Sequence, residues 1–296
     1  SCTNISGFKK LNGSQVLREN ISYILNSLKS VIVENEKQKT ILHIFNSKSV
    51  LDGAVFENLP LGLFGDFYSH ELTFLLIKNN DLKNIKQIFY QNNLSVKKVL
   101  IKDFIEGVQL VNQNDNVETF FKVKINKDSS HVSFFDKASF RYAEYFNFGT
   151  KIIFKDIAKV CSIDQEMIDR IFSDESYRNR NFKDNELIEE KYFIKEHYRK
   201  IRKKLILDIA NARIDEIADV MLNKNINMNF FKKDNIKIYI TIEDKLILDN
   251  FKENFKLYFS KNYNFMPHLT NDFEIDSVID SAANLSMYGW KKEAIP

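Results

Sequence analysis

The chain has 296 residues, of which 44% are hydrophobic and 28% charged, with a formal net charge of +3. That length exceeds one ordinary domain and predicts two or more packed units of ordinary globular composition. So small a charge excludes a dedicated nucleic-acid binder, which concentrates a basic stripe, and apolar runs such as Leu72 to Ile77 fall far short of the about 20 residues a spanning helix needs.

No signal peptide is visible. The two cysteines, Cys2 and Cys161, lie far apart and fit a reducing cytosol rather than a disulfide framework. Eight glycines among 296 residues leave little material for glycine-built loops, whereas 26 Phe can fill a core.

Ser1 opens directly into strand-like sequence, and a start at Ser reads as a truncated chain. Val16, Ile21, Ile24, Leu25, Leu28 and Val31 predict a helix over 15–31. Thr40 to Phe45 and Phe67 to Ile77 read as strands, with turns at Asp52-Gly53 and Leu61-Gly62. Asp81 is the expected N-cap of a helix through Tyr90. Val96 to Ile105 reads as a buried strand, and the polar stretch Asn112 to Glu118 as a boundary. Phe120 to Ile125, Val132 to Phe135 and Phe140 to Phe146 predict a three-stranded meander. Helices are expected at Lys155–Lys159 and Gln165–Phe172, with a loop or small-subdomain connection from Ser173 to Asn185. A long helix is expected from Glu186 to Asn223, with Ile194, Ile201, Leu205, Ile209, Ile217 and Met221 on one side. A strand at Ile236–Ile242, a helix at Leu246–Phe259 and a last helix at Asp276–Tyr288 complete the pattern. Such alternation argues α/β or α+β in several subdomains.

Several short motifs occur in order. They are Ile41-Leu-His-Ile44 with Leu51-Asp-Gly53, then Leu61-Gly-Leu-Phe-Gly65. Phe148-Gly149 through Asp156-Ile157-Ala158, Ile209 to Ile217 with Ala212-Arg213, and Ala282 to Leu285 with Tyr288-Gly289 follow. Together they resemble FtsA, the actin-like bacterial cell-division family. The resemblance implies an α/β fold of the actin/Hsp70 class with FtsA-type subdomains. In that register 1–77 is subdomain 1C, incomplete at its N-terminus, and 78–112 the returning part of 1A. Subdomain 2A is 113–160 with 236–296, and 2B is 161–235. It also implies that the family's first 1A strands precede Ser1 and that its amphipathic membrane helix follows Pro296.

Actin-like ATPases cradle phosphates with backbone amides of glycine hairpins, since glycine alone permits close approach at positive φ. The family's second phosphate loop, with its metal-handling Asp, matches Lys124-Ile125-Asn126-Lys127-Asp128-Ser129-Ser130, where every glycine is replaced and the Asp has become Lys124. An ammonium about 4 Å from a metal repels each unit of its charge by roughly 4 kcal/mol at an effective dielectric of 20. The adenosine-side loop matches Thr241-Ile242-Glu243, where an Ile forced into αL costs about 1–2 kcal/mol and Glu243 sets a carboxylate near polyphosphate. Gly149-Thr150 stands in the following phosphate region. The resemblance, so modified, implies no ATP or Mg²⁺ cofactor and no catalysis. Against this, Lys124 and Lys127 could attract phosphate, and Ser129 and Ser130 could donate to it.

His43, His70, His131, His197 and His268 lack metal-ligand spacing, and Cys161 lacks a nucleophile's partners. Glu189, Glu190, Asp215 and Glu216 read as a charged helix side. The basic run Lys195 to Lys204 is either a solvated face or a docking surface. In FtsA, subdomain 2B receives the acidic C-terminal peptide of the tubulin-like FtsZ, and Arg199 and Arg213, with Glu216 beside them, match that face. Guanidinium suits carboxylates because it bonds both oxygens at once.

The resulting expectation is a non-catalytic cytoplasmic adaptor at the inner face of the membrane at the division site. It would link FtsZ to the septum-forming machinery, meet other division proteins through 1C and self-associate into filaments. The alternatives are the same fold retaining ATP binding and slow hydrolysis, or an unrelated α/β interaction module.

Overall fold

The computed structural model describes residues 1–114, 116–178, 182–194, 197–231, 235–261 and 264–294. Its elements run β1 (Cys2–Lys10), α1 (Arg18–Asn35), β2 (Lys39–Leu51), β3 (Ala54–Phe56), β4 (Phe67–Lys78), α2 (Asn79–Tyr90) and α3 (Lys102–Gln113). Then come β5 (Phe120–Ile125), β6 (Ser130–Asp136), β7 (Ser139–Phe146), α4 (Lys151–Cys161), α5 (Gln165–Ser173) and α6 (Glu175–Arg178). Next are α7 (Lys203–Ala218), β8 (Lys237–Ile242), α8 (Lys245–Phe259), β9 (Met266–Leu269) and α9 (Ile275–Tyr288). The fold class is α/β. The chain divides into one unit of Ser1–Phe120, Ser133–Glu144 and Phe273–Pro296, and another of Phe121–Val132 and Tyr145–Asp272.

The first unit holds a sheet of order β1-β4-β2-β3. β4 is central because it pairs antiparallel with β1 and with β2 over most of its length. The β2–β3 hairpin turns at Asp52 (φ 46°) and Gly53 (φ 83°), two positive φ values in succession, for which the Asp-Gly pair is suited. With a period of two, Tyr68, Leu72, Phe74 and Leu76 bury one face of β4 with Ile24, Leu25, Leu28 and Ile32 of α1. His70 has the same parity, and its exposure is 1%. Neither of its ring nitrogens has a hydrogen-bond partner, and burial pushes its pKa down to about 4. Elsewhere in this unit Phe45 packs on Phe104 at 4.8 Å between ring centres, and Phe135 on Phe140 edge-on at 5.1 Å.

The chain's last residues return to the first sheet. The Asn46 amide donates to Lys292 O and the Ala294 amide to Ile44 O, both at 2.7 Å, adding a short antiparallel bridge beside β2. The Glu293 carboxylate meets buried His43 Nδ1 at 2.8 Å, and Trp290 Nε1 donates to Ala138 O at 2.8 Å.

The second sheet has the order β7-β6-β5-β8-β9. β8 and β9 are parallel and α8 joins them, the helical crossover that parallel neighbours require. In the second unit Phe172 is the aromatic centre, edge-on to Phe251 at 5.4 Å and to Tyr177 at 5.8 Å. No helix among the described residues is long and apolar enough to cross a membrane.

Three sequence expectations are corrected. Val96 to Ile105 is not a strand: α3 starts at Lys102 and buries Asp103 through Leu110 without interruption. A helix covered on every side loses the amphipathic period that tells it from a buried strand. The long helix over 186–223 is not one helix: the described residues hold a short 3₁₀ turn at Glu190–Tyr192, non-helical chain at 197–202, and α7 from Lys203, continued by a π turn at Asp219–Asn223. Its buried face is Ile206, Ala210, Ile214 and Ile217, one position away from the predicted Leu205 and Ile209. Lys195 and Glu196 of the basic run lie outside the described residues. The third correction is α6, which lies inside the stretch read as a loop or connection.

Candidate functional site

The residues matched to the phosphate loops meet in the second unit. Lys124 is the last residue but one of β5, and Asn126 to Ser129 form the β5–β6 turn, closed by the Asn126 amide donating to Ser129 O at 2.9 Å. Asn126 Nδ2 also donates to Ser129 Oγ at 3.2 Å. The Ser130 hydroxyl is buried and donates to Phe148 O at 2.7 Å.

That turn rests on the start of α4. The Thr150 amide donates to Asn126 O at 2.9 Å and the Lys151 amide to Lys127 O at 3.0 Å. Gly149 permits this approach, since a Cβ there would stand 2.1 Å from Asn126 O. From the other side, the Glu243 amide donates to Ile125 O at 3.0 Å, and Glu243 Oε2 accepts from the Lys127 amide at 3.3 Å. Asp244 then caps α8, its Oδ1 accepting from the Leu246 and Ile247 amides at 3.0 and 3.3 Å. Its Oδ2 accepts from Thr150 Oγ1 at 3.4 Å.

These contacts decide what the site can hold. Oriented amides at a turn and at helix starts are the groups that bind phosphate. Here the Lys127 amide donates to a carboxylate, the Thr150 and Lys151 amides to two carbonyls, and the Leu246 and Ile247 amides to the Asp244 carboxylate. The cleft beside them, about 350 Å³, is lined by three carboxylates, Asp128, Asp169 and Asp244, against two ammonium groups, Lys127 and Lys151. Lys151 faces Asp128 at 3.3 Å. A polyphosphate would have to displace these bonds and enter next to Glu243. At about 4 Å, each pair of like unit charges costs about 4 kcal/mol at an effective dielectric of 20.

Lys124 Nζ pairs with Asp272 Oδ1 at 2.6 Å, so the cation in the metal-handling position is neutralised within the unit. Thr241 Oγ1 meets Thr270 Oγ1 at 3.1 Å. Ile242 ends β8, and its φ is not among the positive ones. The αL strain expected there is therefore absent, because the left-handed turn a glycine pair would make is not formed. Among the described residues no group of three or more His, Cys, Asp or Glu could hold a metal ion.

Of the residues matched to the docking face, Arg213 and Glu216 meet on α7, and Arg213 and Arg199 both reach α4. Arg213 of α7 bonds Asp156 of α4 and Glu216 of its own helix. Arg199, in irregular chain before α7, donates to Ser162 O at the α4 C-cap. Asp156 and Ser162 are six positions apart. In helical geometry that is about 9 Å along the axis. Lys203 is buried and faces Glu186 at 2.8 Å, and Lys204 faces Asp184 at 2.7 Å.

Sequence reasoning missed Asp244 and Asp272, and quoted Asp156 in a motif without its pairing with Arg213. Asp244 was legible as an N-cap before the apolar period Leu246, Ile247, Asn250, Phe251. The other two pair across sequence separations of 148 and 57 residues, for which no local signal exists.

No family model matches the chain, and no curated protein is similar to it in sequence. Among solved structures it is similar to the PilM-PilN type IV pilus biogenesis complex, with a TM-score of 0.42, 9% identity, and coverage of 97% of this chain and 76% of that one. MreB5 of Spiroplasma citri bound to ADP gives 0.44 and 11% identity, over 71% of this chain and 66% of that one. The ethanolamine utilization protein EutJ from Carboxydothermus hydrogenoformans gives 0.38 and 13% identity, over 57% of this chain. This chain spans half the length of EutJ. These neighbours are actin-like ATPase-fold proteins, and the likeness concerns architecture alone.

Proposed function

We propose that this chain is an actin-like scaffold that does not turn over ATP, an adaptor of FtsA type that connects FtsZ and the membrane to the division machinery. The observation that carries the non-catalytic part is the Glu243 carboxylate on the Lys127 amide, in a cradle where the Asn126, Thr150, Lys151, Leu246 and Ile247 amides also donate to groups of the chain itself. The order of the motifs supports the FtsA type, with 1C, 1A, 2A and 2B assigned in the register given above. In this reading Arg199, Arg213 and Glu216 form the receiving face for an acidic FtsZ C-terminal peptide. A peptide carboxylate would exchange with Glu216 on the Arg213 guanidinium, setting orientation and encounter rate more than affinity. Other division proteins would meet 1C, and copies of the chain would associate with one another. Membrane attachment would come from a helix beyond this segment.

Equilibrium titration with fluorescent ATP and Mg²⁺ tests the first part. The expected outcome is no saturable binding by the wild type and a measurable gain for Glu243→Gly. Micromolar, Mg²⁺-dependent binding by the wild type would defeat the proposal. Pull-down on an FtsZ tail peptide tests the second part: Arg199→Glu and Arg213→Glu should each lose capture. If both variants behave like the wild type, the docking face is elsewhere.

A further inference from the structure

A second cleft, of about 310 Å³, lies within the first unit. Asn46, Ser47, Lys48 and Ser49 of β2 form one side, Glu57 to Leu59 another, and Lys291 and Lys292 the third. It exists because the C-terminal segment is bonded to β2 through Asn46 and Ile44. Lys292 Nζ donates to Glu57 O at 2.8 Å, which fixes that ammonium at the cleft wall. Lys137 pairs with the Glu57 carboxylate at 2.9 Å, and Lys291 stands 2.6 Å from Glu118. Three ammonium groups (Lys48, Lys291 and Lys292) thus line the cleft against one carboxylate, Glu57, while Lys137 and Glu118 pair with Glu57 and Lys291. The surplus is positive and concave, and the hydroxyl and amide side chains of Ser47, Asn46 and Asn58 stand among the charges.

We propose that this cleft binds a small phosphate-bearing anion, held by Lys48, Lys291 and Lys292. Three lines agree. The first is charge: concentrated cations in a concave wall attract anions more strongly than the same cations on a convex surface, because low-dielectric walls focus the field. The second is size: about 310 Å³ stands at the lower end of small-molecule sites, which suits a phosphorylated metabolite rather than a polymer. The third is electrostatic stress on Lys292. Burial first, then Lys291 and Lys137, pull its pKa below the ordinary lysine value, against Glu118 and Glu57. A bound anion would relieve that stress and raise it again. The assignment is independent of the proposed ATP-free cradle, which lies in the other unit.

Isothermal titration of the full chain with inorganic phosphate at low ionic strength tests it, with vesicles containing phosphatidylglycerol as a parallel arm. Saturable phosphate binding is expected, weakened about fivefold by Lys48→Ala and by Lys291→Ala, the order of one ion pair. Glu118→Gln, which releases Lys291 from its partner, should tighten binding. All three residues are at the surface, so the variants are expected to fold, and circular dichroism checks this. Absence of phosphate binding, equal affinity of wild type and both lysine variants, or binding to vesicles with none to phosphate would each overturn the assignment.

Discussion

The two units treat their polar groups in opposite ways. In the second, donors of the hairpin cradle are answered internally: Glu243 takes the Lys127 amide, carbonyls take the Thr150 and Lys151 amides, and Asp244 takes the Leu246 and Ile247 amides. In the first, His70 is buried with both ring nitrogens unbonded, and the lysine cleft carries more positive than negative groups. A satisfied site is closed to ligands and contributes to stability, whereas an unanswered polar group either waits for a ligand or costs stability. Location in a cleft separates those two outcomes: the lysines border open space, and His70 does not.

The largest test of this contrast is acid. His70 has a folded pKa of about 4 against an ordinary 6.5, so the unfolded chain takes up the proton first as the pH falls. Its neutral form therefore supports the fold fully above about pH 6.5, and that support declines until about pH 4 and no further, an upper bound of about 3 kcal/mol. His70→Leu should remove this part of the acid dependence, read from urea unfolding at several pH values. An unchanged slope between those pH values would mean that the buried imidazole is not the unanswered group it is taken to be. A smaller effect is expected in the second unit. Gly149→Ala puts a methyl 2.1 Å from Asn126 O, so the hairpin must lift from α4, at a cost of about 2 kcal/mol. Faster hydrogen exchange at the Thr150 and Lys151 amides should accompany the loss. Wild-type exchange there, with wild-type stability, would show that the turn does not depend on this seat.

Much of the strand framework was readable, because β2, β4, β5, β6, β7 and β8 carry apolar periods bounded by turns such as Asp52-Gly53. β9 was not: its burial alternates between exposed and half-buried, and Met266-Pro-His-Leu269 offers no apolar run. α3 was misread because its burial is uninterrupted, and α7 was drawn too long because charged and apolar residues alternate at helical spacing through chain that is not helical. At the candidate site, the position of the hairpin was legible from Lys124 to Ser130. Glu243 was placed near it by the family register, but its bond to the Lys127 amide was not foreseen, and Asp272, 148 residues from Lys124, was missed.

The closure of the first unit by Glu293 on His43 spans 250 positions. Synthesis proceeds from the N-terminus, so on the ribosome β2 is made long before the segment that borders it. Until Lys292 to Ala294 emerge, the main-chain groups of Ile44 and Asn46 and the imidazole of His43 lack these partners, and an unpaired strand edge invites foreign pairing. The nascent chain thus carries a temporary adhesive edge, whose exposure lasts as long as translation of everything between.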